Sequence, residues 1–272
     1  MKKVVIVFDG TQFASGSFNF AKQLNESQPI LLTGVFLPQT DFANLWSYAS
    51  GIESAGVPMV ENVDAQVVLR NVETFKKLCI EHNIEHVVHR NVTDFALPAL
   101  RKETRFADLL IISGRSFYVN VGPYEQSEYL NEALTMSECP VMVIPEDARI
   151  PDSIVLAYEG TKQSLFAIKQ FAYLFPEWTN KPTLLVYISP GGEDFPEASN
   201  IEELAARHFS DLTFIKLEMN PRKYFEAWLE QRDHPVLVAD SFGRSTFSQL
   251  FKPSFIQNIL DKNVFPVFIA HT

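Results

Sequence analysis

The chain contains 272 residues, of which 46% are hydrophobic and 21% are charged, and its formal net charge is −10. This composition is typical of a globular protein with ample apolar side chains for a core, and it excludes an intrinsically disordered chain. The acidic balance argues against a nucleic-acid or anionic-membrane surface, because both collect Lys and Arg on one face.

The amino-terminal segment and the cysteines bear on location. The apolar run after Lys3 stops at Asp9, short of the roughly 7–15 apolar residues of a signal peptide and of the ~18 of a membrane span. Cys79 and Cys139 have no partner motif, so we expect no disulfide framework. The sequence therefore predicts a cytoplasmic protein with no membrane or nucleic-acid partner.

The first half of the chain alternates strand and helix signals. Short apolar, β-branched runs predict strands at 4–8, 30–37, 84–89, 108–113 and 140–144. Helical spacing of apolar residues predicts helices at 13–24, 60–82, 94–104 and 125–136. This alternation favours an α/β fold, in which a parallel sheet carries helices on both faces.

The second half repeats this order in a shorter form. Strands are predicted at 154–158, 183–188, 212–217, 236–239 and 267–270, and helices at 164–175, 201–209, 222–231 and 254–261. The opening strand ends in Asp9-Gly10-Thr11 in one half and in Glu159-Gly160-Thr161 in the other. This duplication predicts two similar domains, 1–146 and 152–272, which the short polar hinge at 146–151 keeps adjacent.

Parallel sheets bind ligands beyond the carboxyl ends of their strands. Asp9 and Glu159 lie there, directly after the first strand of each half. Either acid could accept hydrogen bonds from a ligand, while the glycine that follows permits a tight turn. Alternatively, the acid and Thr11 or Thr161 cap the next helix. Both interpretations remain open at the level of the sequence.

The order and spacing of several segments resemble the universal stress protein family. In the first half these are Asp9-Gly10-Thr11 and the segments 107–114 and 139–144; in the second half they are 159–161, 234–239 and 265–267. The resemblance implies five-stranded, doubly wound parallel domains of the adenine-nucleotide alpha-hydrolase-like type, usually paired through their last strands. It therefore implies that the two halves form an intramolecular pseudo-dimer.

ATP-binding members of this family carry a Gly-x2-Gly-x9-Gly-Ser/Thr cradle after the fourth strand. The resemblance places that cradle at 114, 117, 127 and 128 in the first half, where the chain has Gly114, Phe117, Ser127 and Glu128. Only Gly114 is retained, and Glu128 puts a negative charge where a phosphate would rest. We expect this site to be unfit for a triphosphate.

In the second half, counting back from the closing strand places the cradle at 240, 243, 253 and 254. Gly243 and Ser254 are retained, and Lys252 could contact an anion. Asp240, however, repels phosphate, and Pro253 removes an amide donor. We therefore expect no tight ATP binding in this half either.

The resemblance also implies adenine-side residues, at Asp9 and Val35 in the first half and at Glu159 and Ile188 in the second. These pockets could hold a smaller or less charged ligand. ATP or another adenine nucleotide is the one cofactor that the resemblance suggests, and the degenerate cradles argue against it.

Other chemistry finds little support. His86 and His89 lie three apart on a strand and face opposite sides, so with His82 they predict no metal site. Cys79 and Cys139 are interpreted as core thiols. The chain has no Gly-x-Ser-x-Gly elbow, Walker loop or Gly-x-Gly-x-x-Gly fingerprint, and we expect no catalytic residues.

These observations favour a non-catalytic stress-response or regulatory protein that acts through a small ligand or a protein partner. One alternative is a nucleotide-binding switch that uses Gly243, Lys252 and Ser254. Another is a hydrolase or transferase built on the same fold, because a fold does not determine function. Whether the whole chain also forms a homodimer is left open.

Overall fold

The structure is a computed structural model, and it describes residues 1–8, 12–37, 65–90, 96–114, 117, 123–189, 191–218, 221–240 and 265–270. Four predicted site residues, Asp9, Gly243, Lys252 and Ser254, lie outside these ranges. The helix predicted at 254–261 lies outside them as well.

The described residues form ten strands and seven helices. The strands are β1 Lys2–Phe8, β2 Ile30–Phe36, β3 Glu85–Arg90, β4 Leu109–Ser113, β5 Val141–Ile144, β6 Ser153–Tyr158, β7 Thr183–Ile188, β8 Leu212–Leu217, β9 Pro235–Asp240 and β10 Val267–Ala270. The helices are α1 Ser15–Ser27, α2 Ala65–Glu81, α3 Ala96–Thr104, α4 Pro123–Met136, α5 Lys162–Leu174, α6 Ala198–His208 and α7 Pro221–Glu230. Among these residues, no helix has the length and apolar character needed to cross a membrane.

All ten strands belong to one sheet, in the order β3-β2-β1-β4-β5-β10-β9-β6-β7-β8. Every neighbouring pair is parallel except one. The exception joins β5 to β10, which run antiparallel with Met142 opposite Phe268. The prediction of an α/β fold built on a parallel sheet is confirmed.

The inner strands are apolar on both sides because helices cover both faces of the sheet. Along β1, Val4, Ile6 and Phe8 join the core cluster on the side of α1, α2, α5 and α6. Val5 and Val7 join the cluster on the side of α3, α4 and α7. Each cluster contains residues from before and after the hinge, so the core is continuous across the β5–β10 seam.

Side chains from both halves also meet around the carboxyl-terminal end of α5. Phe20 of α1 contacts Trp178 edge to face, with ring centroids 6.1 Å apart, and Trp178 stacks on Phe175 at 4.3 Å. The ammonium group of Lys2 donates to the Leu174 carbonyl and lies 5.4 Å from the centroid of the Phe175 ring. Partial burial lowers the pKa of Lys2.

The hinge packs against α1. Glu146 contacts the first turn of this helix through Gly16, and the Ile150 amide donates to Gln23 Oε1 at 3.1 Å. Ile150 and Ala148 pack against the core cluster on the α1 side of the sheet. The segment is therefore held along two turns of a helix, which fixes the path of the chain between β5 and β6.

Candidate functional site

Two crevices in the sheet satisfy the rule for ligand sites in doubly wound folds, because the chain reverses its direction across the sheet there. The first crevice lies at the carboxyl ends of β1 and β4, which are neighbours although β2 and β3 separate them in sequence. The second crevice lies at the carboxyl ends of β6 and β9. These are the positions at which the site residues were predicted.

The carboxylate of Glu146 lies at the first crevice. Its Oε2 accepts a hydrogen bond from the Gly16 amide, in the first turn of α1, at 3.1 Å. Its Oε1 accepts from the hydroxyl of Ser113, the last residue of β4, at 3.4 Å. One side chain from the hinge thus joins the helix that follows β1 to the end of β4.

The glycine at position 16 is needed for this contact. A Cβ atom at Gly16 would lie 2.5 Å from the carbonyl oxygen of Glu146 and 2.6 Å from its Cα, closer than real Cβ contacts come. The backbone of the hinge therefore rests directly on the start of α1. Any side chain at residue 16 would push the hinge away from the helix.

The start of α1 favours an anion for two reasons. The first amides of a helix have no partners within the helix, and the positive end of the helix dipole lies there. This helix supplies no anion or cap of its own. Its N-cap residue is Ala14, no side chain caps it, and its first turn holds no acidic residue. Glu146 therefore supplies the negative charge from 130 residues away in the sequence.

The two described residues predicted for the first-half pocket have other roles in the structure. Val35 is fully buried in the core on the α3–α4 side. Gly114 directs its amide to the Ile144 carbonyl at 3.1 Å, so this donor is used within the sheet. The Gly114 amide is therefore not available to bind a phosphate in this arrangement.

The turn after β6 in the second half combines a tight bend with a helix cap. Gly160 has a φ of +70°, which glycine adopts without strain. Thr161 Oγ1 accepts from the Ser164 amide at 3.1 Å and so caps α5. The Glu159 amide in turn donates to Ser164 Oγ at 3.3 Å. The structure therefore assigns the capping role to Thr161, and Glu159 remains the candidate ligand contact.

Asp240 lies at the end of β9, beside the end of β6. The pairing of Leu156 with Val238 brings Asp240 level with Tyr158, one residue before Glu159. Its side chain is only 2% exposed, and this burial raises the pKa of the Asp240 carboxyl. Two acidic residues therefore lie at the carboxyl ends of the strands that form the second crevice, and burial disfavours the ionised form of Asp240.

The segment 191–197 covers the ends of the neighbouring strands. The Tyr158 hydroxyl donates to the Pro196 carbonyl at 2.9 Å, and Phe195 stacks on the Tyr158 ring with centroids 5.8 Å apart. Pro196 also packs on Gly160, where a Cβ atom would lie 2.6 Å from the Pro196 Cβ. This cover lies on the α5–α6 side of the sheet, whereas Ile188 is buried on the opposite side.

The same segment also engages a lysine of β8. Lys216 of β8 donates to the Gly192 carbonyl at 2.6 Å and lies 3.5 Å from Glu218 Oε1. Glu193 accepts a hydrogen bond from the Ser189 hydroxyl, and this bond lowers the pKa of the Glu193 carboxyl. Lys216 is therefore held by the protein's own acceptors.

Strand register corrects the alignment of the two halves. Val4 pairs with Leu109, and its counterpart Ile154 pairs with Val236, so Asp240 corresponds to Ser113 and not to Gly114. Strand register also corrects the residue predicted on the adenine side of the first-half pocket. Phe8 pairs with Phe36 whereas Tyr158 pairs with Tyr187, so the counterpart of Ile188 is Leu37 and not Val35.

Sequence reasoning thus missed Leu37, Ser113 and Glu146. A signal for Leu37 was available, because it lies 28 residues after Asp9, close to the 29 residues that separate Ile188 from Glu159. No comparable spacing pointed to Glu146, because its partners belong to distant segments.

The three histidines of residues 82–89 do not converge. His86 Nδ1 lies 3.0 Å from the Ile84 carbonyl, and His89 Nδ1 lies 2.7 Å from Glu103 Oε2. His82 instead makes a ring contact with Phe18. Each histidine therefore has a separate environment.

In the described part of the chain, one other group brings potential metal ligands together. Asp152, Asp233 and His234 place ligand atoms within 4.8 Å of one another, and all three are exposed. Asp152 already pairs with Arg149 at 3.5 Å, and His234 lies 3.8 Å from Asp233 Oδ1. We interpret the group as surface ion pairing.

Comparison with known proteins was made by sequence and by structure. No protein-family model and no curated protein sequence matches the chain. Among solved structures, a universal stress protein from Archaeoglobus fulgidus DSM 4304 superposes with a TM-score of 0.68 and 12% identity, covering 99% of this chain and 96% of that one. This chain has the universal stress protein fold.

Two further structures resemble this chain at lower similarity. A proposed universal stress protein from Pseudomonas aeruginosa UCBPP-PA14 gives a TM-score of 0.52 at 13% identity, covering 99% of this chain and 92% of that one. The cytoplasmic domain of a prokaryotic cation chloride cotransporter gives 0.50 at 12% identity, covering 99% and 95%. At these identities the likeness concerns the fold alone.

Proposed function

We propose that the chain is a tandem member of the universal stress protein family that acts without catalysis. Its halves, 1–146 and 152–272, are five-stranded parallel domains that pair as an intramolecular pseudo-dimer through β5 and β10. Support comes from the strand order, from the single antiparallel pair at the seam and from the fold likeness. The protein serves a regulatory or stress-response role in the cytoplasm by binding a small ligand or a protein partner.

One observation carries the proposal that the first half binds no ATP: the Glu146 carboxylate occupies the crevice. A phosphate charge about 4 Å from this carboxylate would be repelled by about 4 kcal/mol at an effective dielectric constant of about 20. Such a penalty weakens binding by about a thousandfold. Together with the engaged Gly114 amide, it favours exclusion of a triphosphate from this half.

The second crevice favours a different class of ligand. Asp240 and Glu159 offer carboxyl groups, and Lys216 of β8 is engaged by Gly192 and Glu218. An ionised Glu159 repels phosphates, and two carboxyl groups suit a small neutral or cationic molecule that donates hydrogen bonds. We propose such a molecule as the ligand of the second half.

The thiols support a non-catalytic role. Burial raises the pKa of both Cys79 and Cys139 to about 12, so at neutral pH each is a protonated, inert thiol. This observation agrees with a protein that binds and does not transform its ligand.

Isothermal titration calorimetry and thermal shift with ATP, ADP, AMP and cyclic nucleotides test this proposal. We expect no micromolar binding of any nucleotide by the wild-type chain. Micromolar ATP binding that Gly243→Asp abolishes would instead establish the nucleotide switch in the second half. AMP serves as the matched ligand, because it keeps the adenosine and removes two phosphates.

A further inference from the structure

We propose that Glu146 is a built-in anion which closes an oxyanion site in the first crevice, and that inorganic phosphate binds there once this side chain is removed. The inference rests on the proposed function, since it names the group that keeps phosphates out of the first half. It goes further by assigning a latent binding site and its donors.

The donors of this site are already arranged around an anion. The Gly16 amide and the Ser113 hydroxyl both point hydrogen atoms at the Glu146 carboxylate, at 3.1 Å and 3.4 Å. A phosphate has oxygen acceptors of the same kind, and amides at a helix start bind it in the same way. The crevice therefore offers an oxyanion the contacts that the carboxylate now receives.

The turn of α1 that contains Gly16 also holds a buried hydroxyl. Ser17, in the same turn of α1 as Gly16, is 0% exposed, and its hydroxyl has no hydrogen-bond partner among the described residues. A buried hydroxyl without a partner is uncommon, because leaving it unpaired costs free energy. A carboxylate has two oxygens to share among these donors, whereas a phosphate has four.

The charge balance also points to an anion site. Among the residues that the structure describes, no Lys or Arg forms an ion pair with Glu146. Its described hydrogen-bond donors are instead the Gly16 amide and the Ser113 hydroxyl. Removing the side chain leaves an uncapped helix start, because Ala14 offers no side-chain cap.

The hinge should stay in place without the Glu146 side chain. Its backbone packs on Gly16 at one end, and the Ile150 amide bonds to Gln23 at the other. Neither contact uses the Glu146 carboxylate. A truncated variant is therefore expected to fold with the crevice open.

The test compares Glu146→Ala and Glu146→Gln with Asp147→Asn. Asp147 is the next residue and is exposed, so its variant removes the same charge without opening the crevice. Sodium phosphate is titrated by calorimetry at constant ionic strength. We expect Glu146→Ala to bind phosphate at least about tenfold more tightly than the wild type or Asp147→Asn, because the donors are released.

Glu146→Gln should show a smaller gain in phosphate affinity, because the amide removes the charge but still fills the space. This gain should nevertheless exceed that of Asp147→Asn. Adding Ser113→Ala to Glu146→Ala should reverse most of the gain. In ¹⁵N spectra of Glu146→Ala, the Gly16 amide resonance should move with phosphate and stay fixed in Asp147→Asn. This resonance identifies the position of the bound ion.

Equal phosphate affinity in Glu146→Ala and Asp147→Asn, with both variants folded by circular dichroism, would overturn the inference. If Glu146→Ala does not fold, the same equality between Glu146→Gln and Asp147→Asn would overturn it. The proposed function fails separately, through micromolar ATP binding by the wild-type chain. The two failures are distinguishable, since one concerns variants with phosphate and the other the wild type with ATP.

Discussion

The aromatic contact between Phe20 and Trp178 provides a direct test of the pairing of the two halves. Phe20 belongs to α1 and is fully buried, and Trp178 is 2% exposed and follows α5. Their ring centroids lie 6.1 Å apart at an interplanar angle of 80°. If the halves pack as described, Phe20→Ala and Trp178→Ala should weaken the same cooperative unit.

The expected magnitude follows from burial. Truncating a buried Phe or Trp to Ala costs about 3–5 kcal/mol, and an aromatic pair adds about 0.5–1.5 kcal/mol beyond area burial. Each single variant should therefore lose about 3–5 kcal/mol. The double variant should lose less than the sum of the two, with a coupling free energy of about 0.5–1.5 kcal/mol.

Urea unfolding followed by far-UV circular dichroism measures these values, and differential scanning calorimetry shows whether unfolding stays a single transition. Phe106→Ala is the matched control, because this ring is 66% exposed and its loss should change stability by under about 0.5 kcal/mol. A coupling free energy indistinguishable from zero would refute the contact across the seam. Two transitions, of which a variant shifts only one, would refute a shared core.

Two further variants test the second crevice. Thr161→Ala removes the hydroxyl that accepts the Ser164 amide, and urea unfolding should show a loss of about 0.5–2 kcal/mol in stability. The control Thr135→Ala loses only a bond to a carbonyl of its own helix and should be near neutral. Equal losses in the two variants would contradict the capping role of Thr161. Burial raises the pKa of Asp240 in the folded state, so folding favours its protonated form, and stability should fall as pH rises from the unfolded value of about 3.9 through the folded value. In Asp240→Asn the melting temperature should depend less on pH, and the variant should be more stable than the wild type at pH 7. A difference in melting temperature that does not change with pH would count against the burial argument.

Hydrophobic periodicity was enough to predict the elements. Apart from the start of α2, which is described from Ala65 where residue 60 was predicted, the described strands and helices begin and end within three residues of the predicted positions. The long helix shows why: Val72, Phe75 and Cys79 recur at helical spacing, and all three are buried. Patterns of this kind record which face of an element meets the core, and that is set locally.

The register between paired strands was predicted less accurately than the elements themselves. Counting from the closing strand matched Asp240 with Gly114, whereas strand pairing matches it with Ser113. The shift matters because side chains alternate along a strand, so one residue moves a side chain to the opposite face. Asp240 follows the alternation of Val238, on the α5–α6 side, and Gly114 follows that of Ile112 on the other.

The role of Glu146 was the least predictable feature. By its sequence it belongs to a polar hinge, and nothing around it forms a motif. Its partners Gly16 and Ser113 lie 130 and 33 residues away, so their meeting depends on the completed sheet. Tertiary contacts of this kind leave no periodic trace in the chain, although they decide what the crevice can bind.

Calorimetric titration of the wild-type chain with ATP tests the central claim most directly. Because the Glu146 carboxylate lies at the first crevice and Asp240 and Glu159 lie at the strand ends of the second, we expect a dissociation constant no tighter than about 1 mM. A dissociation constant of about 1 μM or below would contradict the account. Such a result would show that one crevice accepts a triphosphate despite its carboxyl groups.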